Sequence, residues 1–177
     1  MRSILFSTAV TCALGATSCG GVVAREYHAK DARVIKSAAV LTLENLTSAQ
    51  DEGKVVADLL STALSARNIE VVDRARAESS LARVDVISGG TVDRLAAQRV
   101  GELLGVDAVV YGSVAEAGDG KMTSGPRHAD IGVTVRVLDV KSGSYILAGS
   151  YTSCAGSDSL ASAAHTAADR IAKAVGR

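Results

Sequence analysis

The thiol of Cys19 is the side chain whose setting points most directly to a chemical step. The tetrapeptide 16–19, Ala-Thr-Ser-Cys, follows Arg2 and an apolar segment, 4–16, of about 13 residues, whereas a transmembrane helix needs roughly 20. A positive residue, a short apolar stretch and small residues before the cut are typical of an export signal. We therefore expect residues 1–18 to be a lipoprotein signal peptide, and Cys19 to be the lipidated residue that follows its cleavage.

Other fates of this segment stay open. An ordinary signal peptidase could use Ala16 and Ser18, and an uncleaved segment would act as an anchor. Lipoprotein signals usually carry leucine three residues before the cysteine, where this chain has Ala16. If Cys19 is lipidated and Cys12 leaves with the leader, Cys154 is the remaining thiol. Without lipidation, a disulfide between Cys19 and Cys154 becomes possible in an oxidising compartment.

Other patterns that could carry chemistry fall short of a catalytic or metal site. The glycine-rich stretch 118–123 lacks the Ser or Thr that must follow the lysine of a phosphate-binding loop, because Met122 stands there. His28, His128 and His165 are far apart in the sequence and lack metal-ligand spacing. The sequence therefore predicts no enzymatic activity, no cofactor and no metal site.

The composition favours a single domain without a nucleic-acid partner. Acidic and basic residues balance at 19 each, and aromatic residues make up 3% of the chain. Nucleic-acid sites need a basic surface and aromatic rings on which bases stack, and this chain offers neither. The abundant Ala, Val and Leu are typical of an α/β domain with closely packed small side chains.

The first half of the predicted domain, 34–177, alternates strands and helices behind a lipidated tether, 19–33. A strand is predicted over 34–43, with a centre that is apolar on both faces and therefore buried. The spacing of Ser48 and Asp51 matches a capping box and predicts the start of a helix. The apolar stripe of that helix contains Val55, Val56, Leu59, Leu60, Ala63 and Leu64. A short strand over 69–72 follows.

Two further helices are predicted before the next strand. Asp73 can cap the second helix, and Thr91 can cap the third. Gly105 stands where the carboxyl end of the third helix favours a left-handed residue. The apolar side of this helix is predicted to contain Val92, Leu95, Ala96, Val100, Leu103 and Leu104.

The second half of the domain predicts antiparallel strands. A strand over 106–114 precedes a loop, 116–128, and alternating residues over 129–140 indicate a half-exposed strand. Gly143 makes the turn to a partner strand over 144–153, and a last helix begins at Ser157 or Asp158. The sequence therefore predicts one α/β domain in the order β-α-β-α-α-β-β-β-α. Its mixed sheet has parallel early strands and antiparallel carboxyl-terminal hairpins, packed with helices.

Four stretches together resemble one family. They are 39–47, which resembles its opening strand and Asn-containing loop; 71–76, which resembles its second strand; 104–114, the most specific match; and 135–140 with Gly143, which resemble its closing hairpin. The family is the CsgG-like group of envelope proteins. It contains the curli-secretion lipoprotein CsgG, the penicillin-binding-protein activator LpoB and, more distantly, the amino-terminal domain of TolB.

The resemblance implies a non-enzymatic lipoprotein of the outer membrane that faces the periplasm. Its expected partner is a penicillin-binding protein or a secretion or assembly component, with a homo-oligomer as a further possibility. The alternative is a subunit of a CsgG-type secretion channel. Such channels insert membrane hairpins whose strands need roughly 9–11 residues each. The loop 116–128 is too short and too polar for two of them, so we expect the lipid on Cys19 to provide the contact with the membrane.

Basic side chains are the candidates for partner binding. Arg74, Arg76 and Lys121 are the residues that the sequence favours, with Arg83 completing a basic run along the predicted second helix. The alternative interpretation of that run is a solvated helix face.

The residue after the lipidated cysteine bears on the destination membrane. Gly20, rather than Asp, follows Cys19, which favours the outer membrane in enteric bacteria.

Overall fold

The computed structural model describes residues 22–30, 33–84, 92–117, 130–153 and 159–175. Within these ranges, the strands are β1 Val22–His28, β2 Ser37–Val40, β3 Glu44–Leu46, β4 Glu70–Val71, β5 Ala108–Ala117, β6 Asp130–Asp139 and β7 Ser144–Ser153. The helices are α1 Glu52–Ser65, α2 Arg74–Leu81, α3 Arg94–Leu104 and α4 Ser159–Val175. The predictions for the signal peptide 1–18, Cys19, Thr91, Lys121 and Cys154 fall outside the described residues.

The seven strands form one mixed sheet in the order β1-β7-β6-β5-β2-β4, with β3 paired to β5 beyond the end of β2. Strands β2, β3 and β4 pair in parallel, whereas β5, β6, β7 and β1 pair antiparallel. The predicted α/β class, the mixed sheet and the order β-α-β-α-α-β-β-β-α are confirmed. The structure adds β1 and β3, two strands that the sequence analysis did not predict.

The prediction of a tether over 19–33 is wrong for residues 22–28, because they form the edge strand β1. Its seven residues pair with β7 in continuous register, from Val22 opposite Ser153 to His28 opposite Leu147. Charged residues such as Arg25 suggested a solvated linker, but charges are also the usual composition of an edge strand, where they discourage further pairing. The domain therefore begins close to Cys19.

Glu26 fastens β1 to the rest of the domain. One carboxylate oxygen is hydrogen-bonded to His28 Nε2 at 2.9 Å, and the other lies 3.7 Å from Arg170 Nε on α4. Burial alone would raise the pKa of Glu26, but the bond to His28 and the charge of Arg170 hold it below its ordinary value. This largely enclosed carboxylate makes β1 an integral strand of the sheet.

Helices cover both faces of the sheet, and each face has its own core. On one face, α1 and α4 pack over buried residues that include Val40, Val110 and Val135. On the other face, α2 and α3 pack over residues that include Leu41, Val109 and Leu138. As predicted, the centre of the first core strand is buried on both faces, because β2 lies between β4 and β5.

The caps of the helices confirm some sequence predictions and correct others. Asp73 caps α2 by accepting from the amides of Ala75 and Arg76, and Gly105 ends α3 with φ 69°. The predicted capping box at 48–51 is wrong, since Asp51 is itself the N-cap of α1, with φ 63° and no side-chain capping bond. Helix α3 begins later than predicted, because Asp93 is its N-cap and accepts from the amide of Ala96.

Gly112 allows β5 and β6 to approach each other closely. A Cβ atom at this position would lie 1.9 Å from the carbonyl oxygen of Thr134, a backbone atom that can move only with its strand. A Cβ atom at Gly132 on the neighbouring strand would have its nearest neighbour 3.8 Å away, which is ordinary contact. The close approach of β5 and β6 therefore requires glycine at position 112, whereas position 132 has room for a methyl group.

We expect Gly112→Ala to lower the free energy of unfolding by about 3 kcal/mol, because the added methyl group must displace backbone in a packed sheet. Gly132→Ala is the matched control and should change it by less than about 0.5 kcal/mol. Urea unfolding of the two variants checks this. Equal effects of the two substitutions would contradict the close approach at Gly112.

Candidate functional site

Two carboxylates and one guanidinium meet at one end of the sheet, beside the start of β5 and the end of β6. Arg33 donates from Nε to Asp139 Oδ1 at 2.8 Å and from Nη1 to Asp107 Oδ1 at 2.8 Å. Its Nη2 donates to the carbonyl oxygen of Asp107 at 3.0 Å. We call this cluster of Arg33, Asp107 and Asp139 the Arg33 clasp.

The remaining carboxylate oxygens of the clasp are also hydrogen-bonded. Asp107 Oδ2 accepts from the amides of Lys36 at 2.9 Å and Ser37 at 3.1 Å. Asp139 Oδ2 accepts from Ser142 Oγ at 2.8 Å. Since every carboxylate oxygen of the pair has a donor, the geometry suits a permanent ion cluster that fixes the chain. It does not offer a proton or a free base to a substrate.

The ionised state of both carboxyls is favoured despite partial burial. Burial would raise the pKa of Asp107, but the Lys36 amide, Arg33 and the Ser37 amide together hold it below its ordinary value. Burial also opposes ionisation of Asp139, where Arg33 and Ser142 lower the pKa. The two carboxylates in turn raise the pKa of Arg33. The clasp therefore stays charged across the neutral range.

We expect Arg33→Ala to lower the free energy of unfolding at pH 7 by about 2 kcal/mol, a value that allows for the one-third exposure of Arg33. Arg67→Ala, which removes an exposed arginine from the turn after α1, is the control and should cost less than about 0.5 kcal/mol.

The same clasp predicts how stability depends on acidity. Because the folded pKa of Asp107 and Asp139 lies below the ordinary 3.8, their contribution is complete above that value and is lost as the pH falls through the folded pKa. Arg33→Ala should therefore lose less stability than the parent between pH 6 and pH 3. Unfolding curves with the same pH dependence in both proteins would contradict the clasp.

The outward side of α3 presents an apolar and basic surface. Leu95 and Leu103 are 57% and 58% exposed, with the exposed Arg99 between them at helical i, i+4 spacing. The prediction that both leucines lie on the buried side of this helix is wrong. The side chains that α3 buries are Ala96, Ala97, Val100, Gly101 and Leu104.

A groove runs between the carboxyl ends of α2 and α3 beside Leu103. It has a volume of about 430 Å³, and we call it the α2–α3 groove. It is lined by Arg83, Val84, Arg99, Glu102 and Leu103. Two arginines and one glutamate leave a net positive lining next to an exposed leucine. Such a surface suits an acidic protein segment with an apolar side chain.

The structure separates the candidate residues that the sequence had grouped. Arg74 Nη1 donates to Asp58 Oδ1 on α1 at 2.6 Å, so its charge is already paired. Arg76 is exposed on α2, the helix that contains Arg74, and Arg83 lies at the α2–α3 groove. Lys121 falls outside the described residues. The assignment of Arg74, Arg76 and Lys121 to partner binding stays a prediction.

Four groove residues were not among the binding candidates predicted from the sequence: Val84, Arg99, Glu102 and Leu103. One pattern could have revealed the three on α3, since Arg99 stands midway between Leu95 and Leu103 on one stripe of the helix. A charged residue inside an apolar stripe indicates a solvent-facing surface rather than a core. The small residues Ala97 and Gly101, on the opposite side, are the ones that fit closely against the sheet.

The described residues contain no group of three or more His, Cys, Asp or Glu that could hold a metal ion. Among the helices of the described ranges, none has the length and apolar character needed to cross a membrane.

The fold defines a class of α/β domain that is represented among solved structures. No protein-family model matches the chain, and no curated protein matches it significantly. The PelC dodecamer from Paraburkholderia phytofirmans is similar at 16% identity and a TM-score of 0.55, over 88% of this chain and 98% of that one.

Two further solved structures are similar to this chain. The LpoB C-terminal domain from Salmonella enterica matches at 14% identity and a TM-score of 0.50, over 69% of this chain and 85% of that one. The lipoprotein GNA1162 from Neisseria meningitidis matches at 19% identity and a TM-score of 0.49, over 70% of this chain and 83% of that one. At these identities the likeness is one of fold. The predicted resemblance to LpoB is thus confirmed for the fold, while the link to CsgG stays a prediction.

Proposed function

We propose that the chain is a non-enzymatic lipoprotein of the cell envelope that acts by binding another protein at the α2–α3 groove. The observation that carries the proposal is the outward side of α3. Two leucine side chains there are each more than half exposed, and the adjoining groove adds Arg83 and Arg99. Clustered apolar side chains with arginine are typical of protein-binding surfaces, whereas a single exposed leucine would need no explanation.

The ion clusters of the domain also suit a binding module better than an enzyme. The carboxylates of the Arg33 clasp are each held by several donors. A catalytic acid needs a proton that it can donate to a substrate, and a catalytic base needs a free lone pair that can accept one. These carboxylates are ionised, and each of their oxygens already accepts a hydrogen bond from the protein.

The resemblance of the sequence to the CsgG-like group implies that the partner is a penicillin-binding protein or another envelope assembly component in the periplasm. It also implies that the lipid anchor is inserted in the outer membrane. Binding would regulate the partner by shifting its conformational equilibrium. For this, the groove must have a higher affinity for one of the partner's states than for the other. Fold similarity to the LpoB domain supports this class of function.

A second candidate is a subunit of a homo-oligomeric secretion assembly, which includes the CsgG-type channel predicted as the alternative. The observation in its favour is the similarity to PelC, which was solved as a dodecamer and matches 88% of this chain. In this case the exposed side of α3 would contact a second copy of the chain instead of a different protein.

A photo-crosslinking amino acid placed at Leu103 in intact cells tests the groove. We expect a cross-link to a distinct envelope protein, and we expect the cross-link to weaken by about tenfold with Arg83→Glu and Arg99→Glu, because two favourable charges are reversed. The control is the same amino acid at Val55, a similarly exposed residue of α1. Cross-links between copies of the chain would favour the homo-oligomer, and equal products at both positions would contradict binding at the groove.

The lipid anchor has its own test. In cells fed a radiolabelled fatty acid, the wild-type chain should incorporate label at Cys19, and Cys19→Ser should abolish it. Globomycin should cause a labelled, uncleaved precursor to accumulate. Cys154→Ser is the control and should label normally. An unlabelled wild-type protein released into the soluble periplasm would contradict lipidation.

A further inference from the structure

The edge of the sheet formed by β1 has one side that no helix covers in the described structure. Ala24 and His28 of β1 lie opposite Tyr151 and Leu147, two residues of the core under α4. Because side chains alternate along a strand, the intervening residues lie on the face opposite α4; they are Val23, Arg25 and Tyr27. Val23 and Tyr27 are 55% and 58% exposed. We call the three residues the β1 surface.

The neighbouring strands continue this surface with small polar side chains. Arg25 lies opposite Ser150, and Val23 lies opposite Thr152; these four residues line a shallow groove of about 390 Å³. Helices α2 and α3 contact β2, β5 and β6 and leave β1 and β7 open on this side. The open face is thus a broad and shallow area rather than an enclosed pocket.

The charge of this face is positive among the described side chains. One strand further in, the exposed Arg136 shares a cross-strand row with Ala148 and Tyr27. The described side chains on this part of the sheet include two arginines and no carboxylate. Arginine, tyrosine and an exposed aliphatic side chain together suit the headgroup region of a phospholipid bilayer, where phosphates attract cations and amphipathic rings settle.

The length of the chain before β1 limits where this face can lie. The strand begins at Val22, three residues after Cys19, and three extended residues span at most about 11 Å. A lipid on Cys19 would therefore hold the first residues of β1 against the bilayer surface. The predicted tether would have allowed the domain to stand away from the membrane, whereas the observed strand does not.

We propose that the β1 surface lies on the headgroups of the bilayer in which the Cys19 lipid is inserted. This inference rests on the lipid anchor of the proposed function and adds an orientation to it. Arg25 and Arg136 bind lipid phosphates, while Val23 and Tyr27 enter the interface. The α2–α3 groove lies on the same face of the sheet as the β1 surface but toward the opposite edge, because α2 packs beside β2 and β2 lies next to the edge strand β4.

The test uses the full lipoprotein with Cys154→Ser, reconstituted into vesicles of phosphatidylethanolamine and phosphatidylglycerol. Val23→Cys and Tyr27→Cys each receive a polarity-sensitive fluorophore, and Val55→Cys on α1 is the control with similar exposure. We expect brominated lipids to quench the labels at 23 and 27 about twofold or more relative to the label at 55. Combining either label with Arg25→Glu and Arg136→Glu should reduce that quenching.

The outcomes separate the surface contact from the anchor. Equal quenching at positions 23, 27 and 55 in protein that floats with the vesicles would overturn the surface contact and leave the anchor standing. Failure to float with the vesicles would overturn both. Protection at 23 and 27 that grows with protein density, without quenching by the lipid, would show that a second copy covers this face and would also overturn the inference.

Discussion

The Arg33 clasp is the interaction on which the layout of the domain depends. Strand β1 pairs with β7 at one edge of the sheet, whereas β2 lies beyond β7, β6 and β5, next to the opposite edge. The chain must therefore cross the ends of three strands between His28 and Ser37. Arg33 holds this crossing by binding Asp139 at the end of β6 and Asp107 at the start of β5. A charged cluster suits this place because the ends of strands leave backbone groups that still need partners.

This crossing also determines how the two exposed surfaces relate to each other. The β1 surface lies at the edge that follows Cys19, and the α2–α3 groove lies on the same face of the sheet toward the opposite edge, near the ends of α2 and α3. Without β1, the lipid would hold the domain through a flexible linker, and the groove would have no preferred direction. Glu26 and the clasp fix β1 and the segment after it to the rest of the domain. The short link between the lipid on Cys19 and β1 therefore sets the orientation of the whole domain.

Sequence patterns predicted the parts of the fold that local physics decides. Gly143 at a tight turn, Gly105 at a helix end and Asp73 as a cap depend on a few neighbouring residues, and each is confirmed. Strand β1 was missed because its partner, β7, lies more than 100 residues away in the sequence. The groove was missed because exposure of Leu95 and Leu103 depends on which side of α3 the sheet accepts, and Ala97 and Gly101 decide that by their small size.

The central claim is that two separate surfaces are covered in the envelope, one by lipid and one by a protein partner. Hydroxyl-radical footprinting compares the exposure of individual side chains in intact envelopes and in the detergent-purified protein. The account predicts that oxidation of Tyr27 and Leu103 falls severalfold in envelopes, because both become covered, while oxidation of Val55 stays the same. Unchanged oxidation of Tyr27 and Leu103 between the two preparations would contradict it.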